Sequence, residues 1–154
     1  MSDDHRIVFG VDWGNSHDPT VISVIDASAH RCLETHKFYP HSFQDNRSRI
    51  RILAEKFHPA VIIVETNSAG NINIEALKAE GLPVREYTIT HQNCAVLMSQ
   101  MERALRSGEL TTENNIAREI MLLALDGKTT EDTLVAVALA LHGVIHYGIR
   151  VDFI

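Results

Sequence analysis

The chain of 154 residues is 45% hydrophobic and 22% charged, an ordinary balance for a soluble globular protein and enough to bury one sizeable core. A formal charge of -6 excludes a generally basic nucleic-acid coat and leaves room only for a local basic face. Two cysteines, Cys32 and Cys94, exclude a disulfide framework or a cysteine-built zinc site and fit free thiols in a reducing cytoplasm.

The opening Met1-Ser2-Asp3-Asp4-His5-Arg6 is polar and acidic, unlike a signal peptide. Residues 7–12 then read as a buried strand, Ile7-Val8-Phe9-Gly10-Val11, that ends on Asp12. Residues 20–26 and 32–39 read as two more strands, rich in β-branched and aromatic side chains, and the short polar connections favour an antiparallel meander. Ile50, Leu53, Ala54 and Phe57 then recur at helical spacing before Pro59. Residues 60–65 form a continuous apolar strand closing on Glu65. Ile74 and Leu77 mark a short helix ended by Gly81, and residues 84–89 a fifth strand. Val96, Leu97, Met101, Ala104 and Leu105 make an amphipathic helix that stops at Gly108. Ile116, Ile120 and Leu123 make another, with Thr112 as its expected cap. The last helix is expected over residues 131–147, capped by Thr130. Its apolar stretch, residues 134–141, is far shorter than the ~18 residues that suggest a membrane span. The order β-β-β-α-β-α-β-α-α-α predicts one α/β domain over residues 1–154. In it, a mixed five-stranded sheet combines a three-strand antiparallel meander with two parallel strands, flanked by helices. Such a sheet lets the first and fourth strands lie side by side, so that Asp12 and Glu65 emerge at one carboxyl edge.

Those two acids, with Glu131 and Asp132 at the head of the last helix, suggest a site for two divalent ions. Hydrolysis of a phosphodiester needs an activated water and a stabilised leaving oxyanion, and a pair of ions about 3.5–4 Å apart provides both. Mg²⁺ and Mn²⁺ take hard oxygen ligands, so carboxylates at element ends are the expected donors. A central Asp12 on a rigid strand can bridge both ions, with Glu65 holding one and an acid of the last helix the other. Each acid also has a plainer reading: Asp12 before Trp13-Gly14 as a turn residue, Glu131 and Asp132 as helix-dipole partners.

The segments around these acids resemble a known family. Phe9-Gly10-Val11-Asp12-Trp13-Gly14-Asn15-Ser16-His17-Asp18-Pro19-Thr20-Val21 resembles the opening of the nuclease domain of phage terminase large subunits. Ile63-Val64-Glu65-Thr66-Asn67-Ser68-Ala69-Gly70 is similar to its second motif, and residues 81–84 and 104–110 to the stretches that follow. Glu131-Asp132-Thr133-Leu134 and the apolar run after it are similar to its last motif, which usually reads His-Asp-Asp. The resemblance runs in order over nearly the whole chain. It implies an RNase H-like fold and a metal-dependent DNA endonuclease that cuts concatemeric viral DNA during packaging. Asp12, Glu65 and Asp132 are then the metal-binding acids, with Glu131 in the same motif. It implies Mg²⁺ or Mn²⁺ as cofactor, DNA, a P-loop packaging ATPase and the phage portal as partners, no membrane, and the host cytoplasm as location.

The chain departs from the family at three points. Thr130-Glu131 stands where His-Asp is usual, which leaves either Glu131 or Asp132 as the third ligand. His91-Gln92-Asn93-Cys94 holds no Lys where the family often has one, so His91 is the available phosphate contact. No Walker A motif occurs in these residues, so the motor is expected to be separate or removed. Two alternatives remain open: a Holliday-junction resolvase on the same fold, and a non-catalytic DNA-binding or packaging-assembly module. Around the acids, His17 could assist proton transfer and Asn67 could orient Glu65 or a bound water. Arg47, Arg49 and Arg51 are either a DNA-backbone patch or the solvated face of a helix. Trp13 could stack on DNA or pack against the sheet rim, and His142 with His146 has metal-pair spacing or simply shares a helix face.

Overall fold

In this computed structural model the described residues are 6–66, 71–126 and 132–147. Along them run β1 (Ile7–Asp12), β2 (Thr20–Asp26), β3 (Arg31–Phe38), α1 (Phe43–Phe57), β4 (Val61–Glu65), α2 (Asn71–Ala79), β5 (Val84–Tyr87), α3 (His91–Ser107), α4 (Asn115–Asp126) and α5 (Asp132–His146). The strands form one sheet in the order β3-β2-β1-β4-β5. The pairs β1–β2 and β2–β3 are antiparallel, while β1–β4 and β4–β5 are parallel. This is the mixed sheet that the run lengths and connections predict.

Strand alternation sorts the core into two layers. Phe9 and Val11 of β1 join Ile62 and Val64 of β4 beneath Ile50 and Leu53 of α1 and Ile74 and Leu77 of α2. Val8 and Ile63 take the opposite face, under α3, α4 and α5. In α5 every residue from Leu134 to Leu141 is buried. A helix apolar all round needs neighbours on both sides. The sheet provides one, and Leu97, Met101 and Leu105 of α3 lie in the same cluster.

Two glycines let α5 rest on the sheet. A Cβ on Gly10 would stand 2.0 Å from the Ala136 carbonyl oxygen and 2.5 Å from the Ala140 nitrogen. A Cβ on Gly143 would fall 2.7 Å from Val8 Cγ1 and 2.8 Å from Ile63 Cγ1. Gly143 therefore sits over Val8, and Ala136 and Ala140 over Gly10. The helix runs opposite to β1, which brings its first residue, Asp132, towards the end of β1.

Element ends differ from expectation where polar residues carry the signal. Helix α1 begins at Phe43, a full two turns before Ile50; the Ser42 hydroxyl accepts from the Asp45 N–H at 3.1 Å, an N-cap. Helix α4 is capped by Asn114, whose Oδ1 accepts from the Ala117 N–H at 2.8 Å; the Thr112 hydroxyl instead donates to the Asn114 carbonyl at 2.6 Å. Strand β5 stops at Tyr87 because the Thr88 carbonyl accepts from the Asn93 side chain and Thr90 caps α3. Val96 and Leu123, expected on buried faces, are 55% and 69% exposed. Thr130, the expected cap of α5, lies outside the described residues.

Candidate functional site

The register of the sheet places the first two acids. Val11 of β1 pairs with Val64 of β4, so Asp12 and Glu65 are the next residues on neighbouring parallel strands. Both follow the parity of Val8, Gly10 and Ile63, the face on which α5 lies. Asp132 opens α5 one helical turn before Ala136, which covers Gly10. Three elements distant in sequence thus deliver three carboxyls to one point at the carboxyl edge of the sheet.

Asp12 is only 7% exposed. Burial first, then hydrogen bonding with Glu65 and Asp132 and the repulsion of their charges, pushes its carboxyl from the ordinary 3.8 up to about 10. A cation placed among the acids would offset that shift, because it rewards the charged form. Among the described residues no three His, Cys, Asp or Glu side chains have the geometry of a finished metal cage. Asp12 lies within hydrogen-bonding reach of Glu65 and Asp132, which requires proximity but not the stricter convergence of lone pairs on an ion. As a donor set the trio fits a hard divalent cation: all oxygen, anionic when ionised, and rigidly based. Glu131, the remaining acid of the set, lies outside the described residues, as does Asn67.

The loop after Asp12 is closely fastened. The Gly14 N–H donates to Thr20 Oγ1 at 2.8 Å, and the buried Thr20 hydroxyl donates to Asn46 Oδ1 of α1 at 2.7 Å. A Cβ on Gly14 would stand 2.2 Å from the Asp18 carbonyl oxygen, so only glycine lets the loop fold back this tightly. Asn15 closes the turn, its Oδ1 accepting from the His17 and Asp18 N–H groups at 2.8 and 3.0 Å. His17 itself is exposed on this loop. Trp13 is 6% exposed and packs in the core on the α1 and α2 side, which leaves no ring face for a nucleobase.

The other expected residues spread more widely. His91 is the exposed first residue of α3, close in sequence to the end of β5. Arg47, Arg49 and Arg51 lie on α1, across the sheet from α5, and each is engaged. Arg47 donates to Asn73 Oδ1 at 3.1 Å. Arg49 pairs with Asp45 at 3.2 Å and covers the Phe38 ring at 4.2 Å. Arg51 pairs with Glu80. Two further neighbours escaped the sequence reading. Asn46 falls at the i−4 position of the Ile50 stripe, a polar residue on an apolar face, and that misfit was its signal. Tyr87 pairs with Glu65 across β4–β5 and had no sequence signal beyond ending a strand.

The acids stand at the carboxyl edge of the sheet. A cavity of about 330 Å³, lined by His30, Arg103, Leu141 and Ile145 among others, lies at the far end of α5 from Asp132.

No family model matches the chain. Over 119 residues, 73% of its length, it is 28% identical to the terminase large subunits of Thermus phage G20c and Thermus virus P23-45. It spans 23% of the length of those relatives. Among solved structures it superposes with a TM-score of 0.77 on the large terminase nuclease of thermophilic phage G20c with bound magnesium. That match has 18% identity and covers 92% of this chain and 83% of that one. On the fowlpox virus Holliday junction resolvase the TM-score is 0.56, with 15% identity and 92% and 99% coverage. These likenesses show the fold, the mixed sheet of RNase H-like nucleases. The chain is similar in sequence to phage terminase large subunits and in fold to a terminase nuclease.

Proposed function

We propose that this chain is a metal-dependent DNA endonuclease of the terminase kind, a single RNase H-like domain over residues 1–154. The observation that carries the reading is the meeting of Asp12, Glu65 and Asp132 from β1, β4 and α5, with the charge of Asp12 suppressed by burial and then by the other two. Three mutually repelling carboxyls at a rigid sheet edge are costly to keep unless a cation belongs between them.

Mg²⁺ or Mn²⁺, as a pair of ions, would supply an activated water and neutralise the leaving oxyanion. Asp12 and Glu65 would hold the cations from the sheet, and Asp132 or Glu131 from the last helix. The fastened loop at Gly14, Thr20 and Asn46 keeps Asp12 fixed at the end of β1. His17, on the loop after Asp12, and His91, the first residue of α3, would serve proton transfer and phosphate contact, and Asn67 follows Glu65 closely enough in sequence to orient it. The engaged Arg47, Arg49 and Arg51 serve the α1 surface first, and a DNA contact there would be made by groups already paired. The substrate is DNA in the context of genome packaging, in the host cytoplasm. A P-loop ATPase, separate or removed, and the portal are its partners. Among the described residues no helix is long and apolar enough to cross a membrane.

The test is nicking of supercoiled plasmid in Mn²⁺. Asp12→Asn is expected to lower the rate by more than about 100-fold, beyond what loss of an outer partner costs, with an unchanged circular dichroism spectrum. Full activity in that variant would sink the reading. Coverage of 99% of the fowlpox resolvase supports a second reading, a Holliday-junction resolvase. Symmetric nicks on four-way junctions, with linear duplex left intact, would decide for it. A non-catalytic assembly module is the outcome if calorimetry finds no divalent ion bound.

A further inference from the structure

The last turn of α5 carries a feature that the acid site does not use. His142 and His146 are one helical turn apart, and their ring centroids stand 4.4 Å from each other with planes tilted by 35°. The Tyr87 ring meets His142 edge-on at 4.5 Å, and Tyr147 approaches it at 6.1 Å. His142 is half-buried against these rings and His146 is exposed.

We propose that His142 and His146 form a second divalent-metal site, a two-imidazole clasp for a nitrogen-preferring ion such as Zn²⁺, Ni²⁺ or Cu²⁺. An ion bound by a ring nitrogen at about 2.1 Å lies about 3.2 Å from the ring centre. Two imidazoles sharing one ion at right-angled to tetrahedral geometry therefore have centres about 4.5–5.2 Å apart. The observed spacing of 4.4 Å falls just below that range, so an opening of the exposed His146 completes the clasp. Three further features favour a cation here. The helix ends at His146, where its aligned carbonyls present partial negative charge. Burial, then the neighbouring His146, holds His142 below the ordinary imidazole range, so at neutral pH it offers an unprotonated nitrogen. The tyrosine rings restrict the rotamers of His142, which lowers the entropy lost on binding. Among the described residues no third His, Cys, Asp or Glu completes a three-ligand set. The site is distinct from the carboxylate centre in place and in chemistry. Ten residues of helix, about 15 Å at 1.5 Å per residue, separate His142 from Asp132. Nitrogen donors select against the Mg²⁺ that an all-oxygen set prefers. The proposal does not depend on the nuclease reading.

The experiment is a titration of the full, untagged chain with Ni²⁺ and Cu²⁺ while Mg²⁺ is held in large excess to fill the carboxylate centre. One bound equivalent is expected, with two-nitrogen hyperfine structure in the Cu²⁺ resonance spectrum. His146→Ala and His142→Ala are each expected to weaken it by more than about tenfold, and Asp12→Asn to leave it unchanged. His146 is exposed, so its variant tests the site even if His142→Ala disturbs packing. No bound equivalent under excess Mg²⁺, an unaltered isotherm in His146→Ala, or loss of binding in Asp12→Asn overturns the proposal.

Discussion

Asp12 is placed where its charge is unwelcome without a cation, and that makes a sign-definite prediction about pH. Its folded value, about 10, lies above the ordinary 3.8, so the folded chain binds a proton that the unfolded chain releases in between. The stability this proton contributes is fully present below about 3.8 and is lost as pH rises towards about 10. In a chelator, the wild-type Tm is therefore expected to fall between mildly acidic and mildly alkaline pH. Asn at position 12 keeps a donor for Glu65 and Asp132 without the charge, so Asp12→Asn should show a flatter profile that crosses above the wild type at alkaline pH. Parallel profiles in a thermal melt series would remove Asp12 from the role. By the same linkage, filling the centre with Mg²⁺ near neutral pH should release about one proton, read as a buffer-dependent calorimetric enthalpy. The acids themselves were legible in the sequence because each ends or begins an element, where an apolar run stops at a carboxyl. Trp13 was not legible: it follows Asp12 with the same neighbours whether it stacks outward or packs inward, and only the α1 and α2 layer above it decides.

At the scale of elements, α5 is the part that assembles the centre, and its seat on β1 is a backbone contact. The Ala136 carbonyl and the Ala140 amide stand where a Cβ on residue 10 would go. Gly10→Ala cannot be absorbed by a rotamer change, because the obstructing atoms are backbone. The helix must lift from the strand at a cost of about 1–3 kcal/mol or more. Asp132 is carried on that helix, so the same substitution should weaken divalent-ion binding as well as stability. Urea denaturation and a Mn²⁺ titration check the two effects together. Loss of stability with unchanged Mn²⁺ affinity would mean that α5 does not position the third acid. The helices show where sequence pattern stops informing. Phe43 to Arg49 of α1 is almost wholly polar and so carries no apolar period. The Asp45 N–H donating to the Ser42 hydroxyl starts the helix instead, and the Asp45 carboxylate accepts from the His41 N–H at 3.0 Å. Strand order was more legible than helix ends. Six- and seven-residue apolar runs joined by short polar links leave few ways to pair, whereas a cap is a single side chain among several candidates in Thr112 and Asn114.

The described residues form one sheet with a helical layer on each face, and the proposed centre lies at the carboxyl edge of that sheet. The relatives it matches in sequence are more than four times as long as the part it covers. The chain carries no Walker A sequence, whose glycine-rich loop and lysine are what cradle nucleotide phosphates. Hydrolysis at a carboxylate centre draws its driving force from the phosphodiester and water, and needs no nucleotide. Plasmid nicking by this chain alone is therefore expected to be independent of ATP. The comparison must hold free Mn²⁺ constant, since ATP chelates the ion on which the carboxylates depend. Equal rates with and without ATP at matched free Mn²⁺ separate the cutting activity from any motor. Acceleration by ATP but not by a non-hydrolysable analogue would reveal a nucleotide-driven step and overturn this expectation.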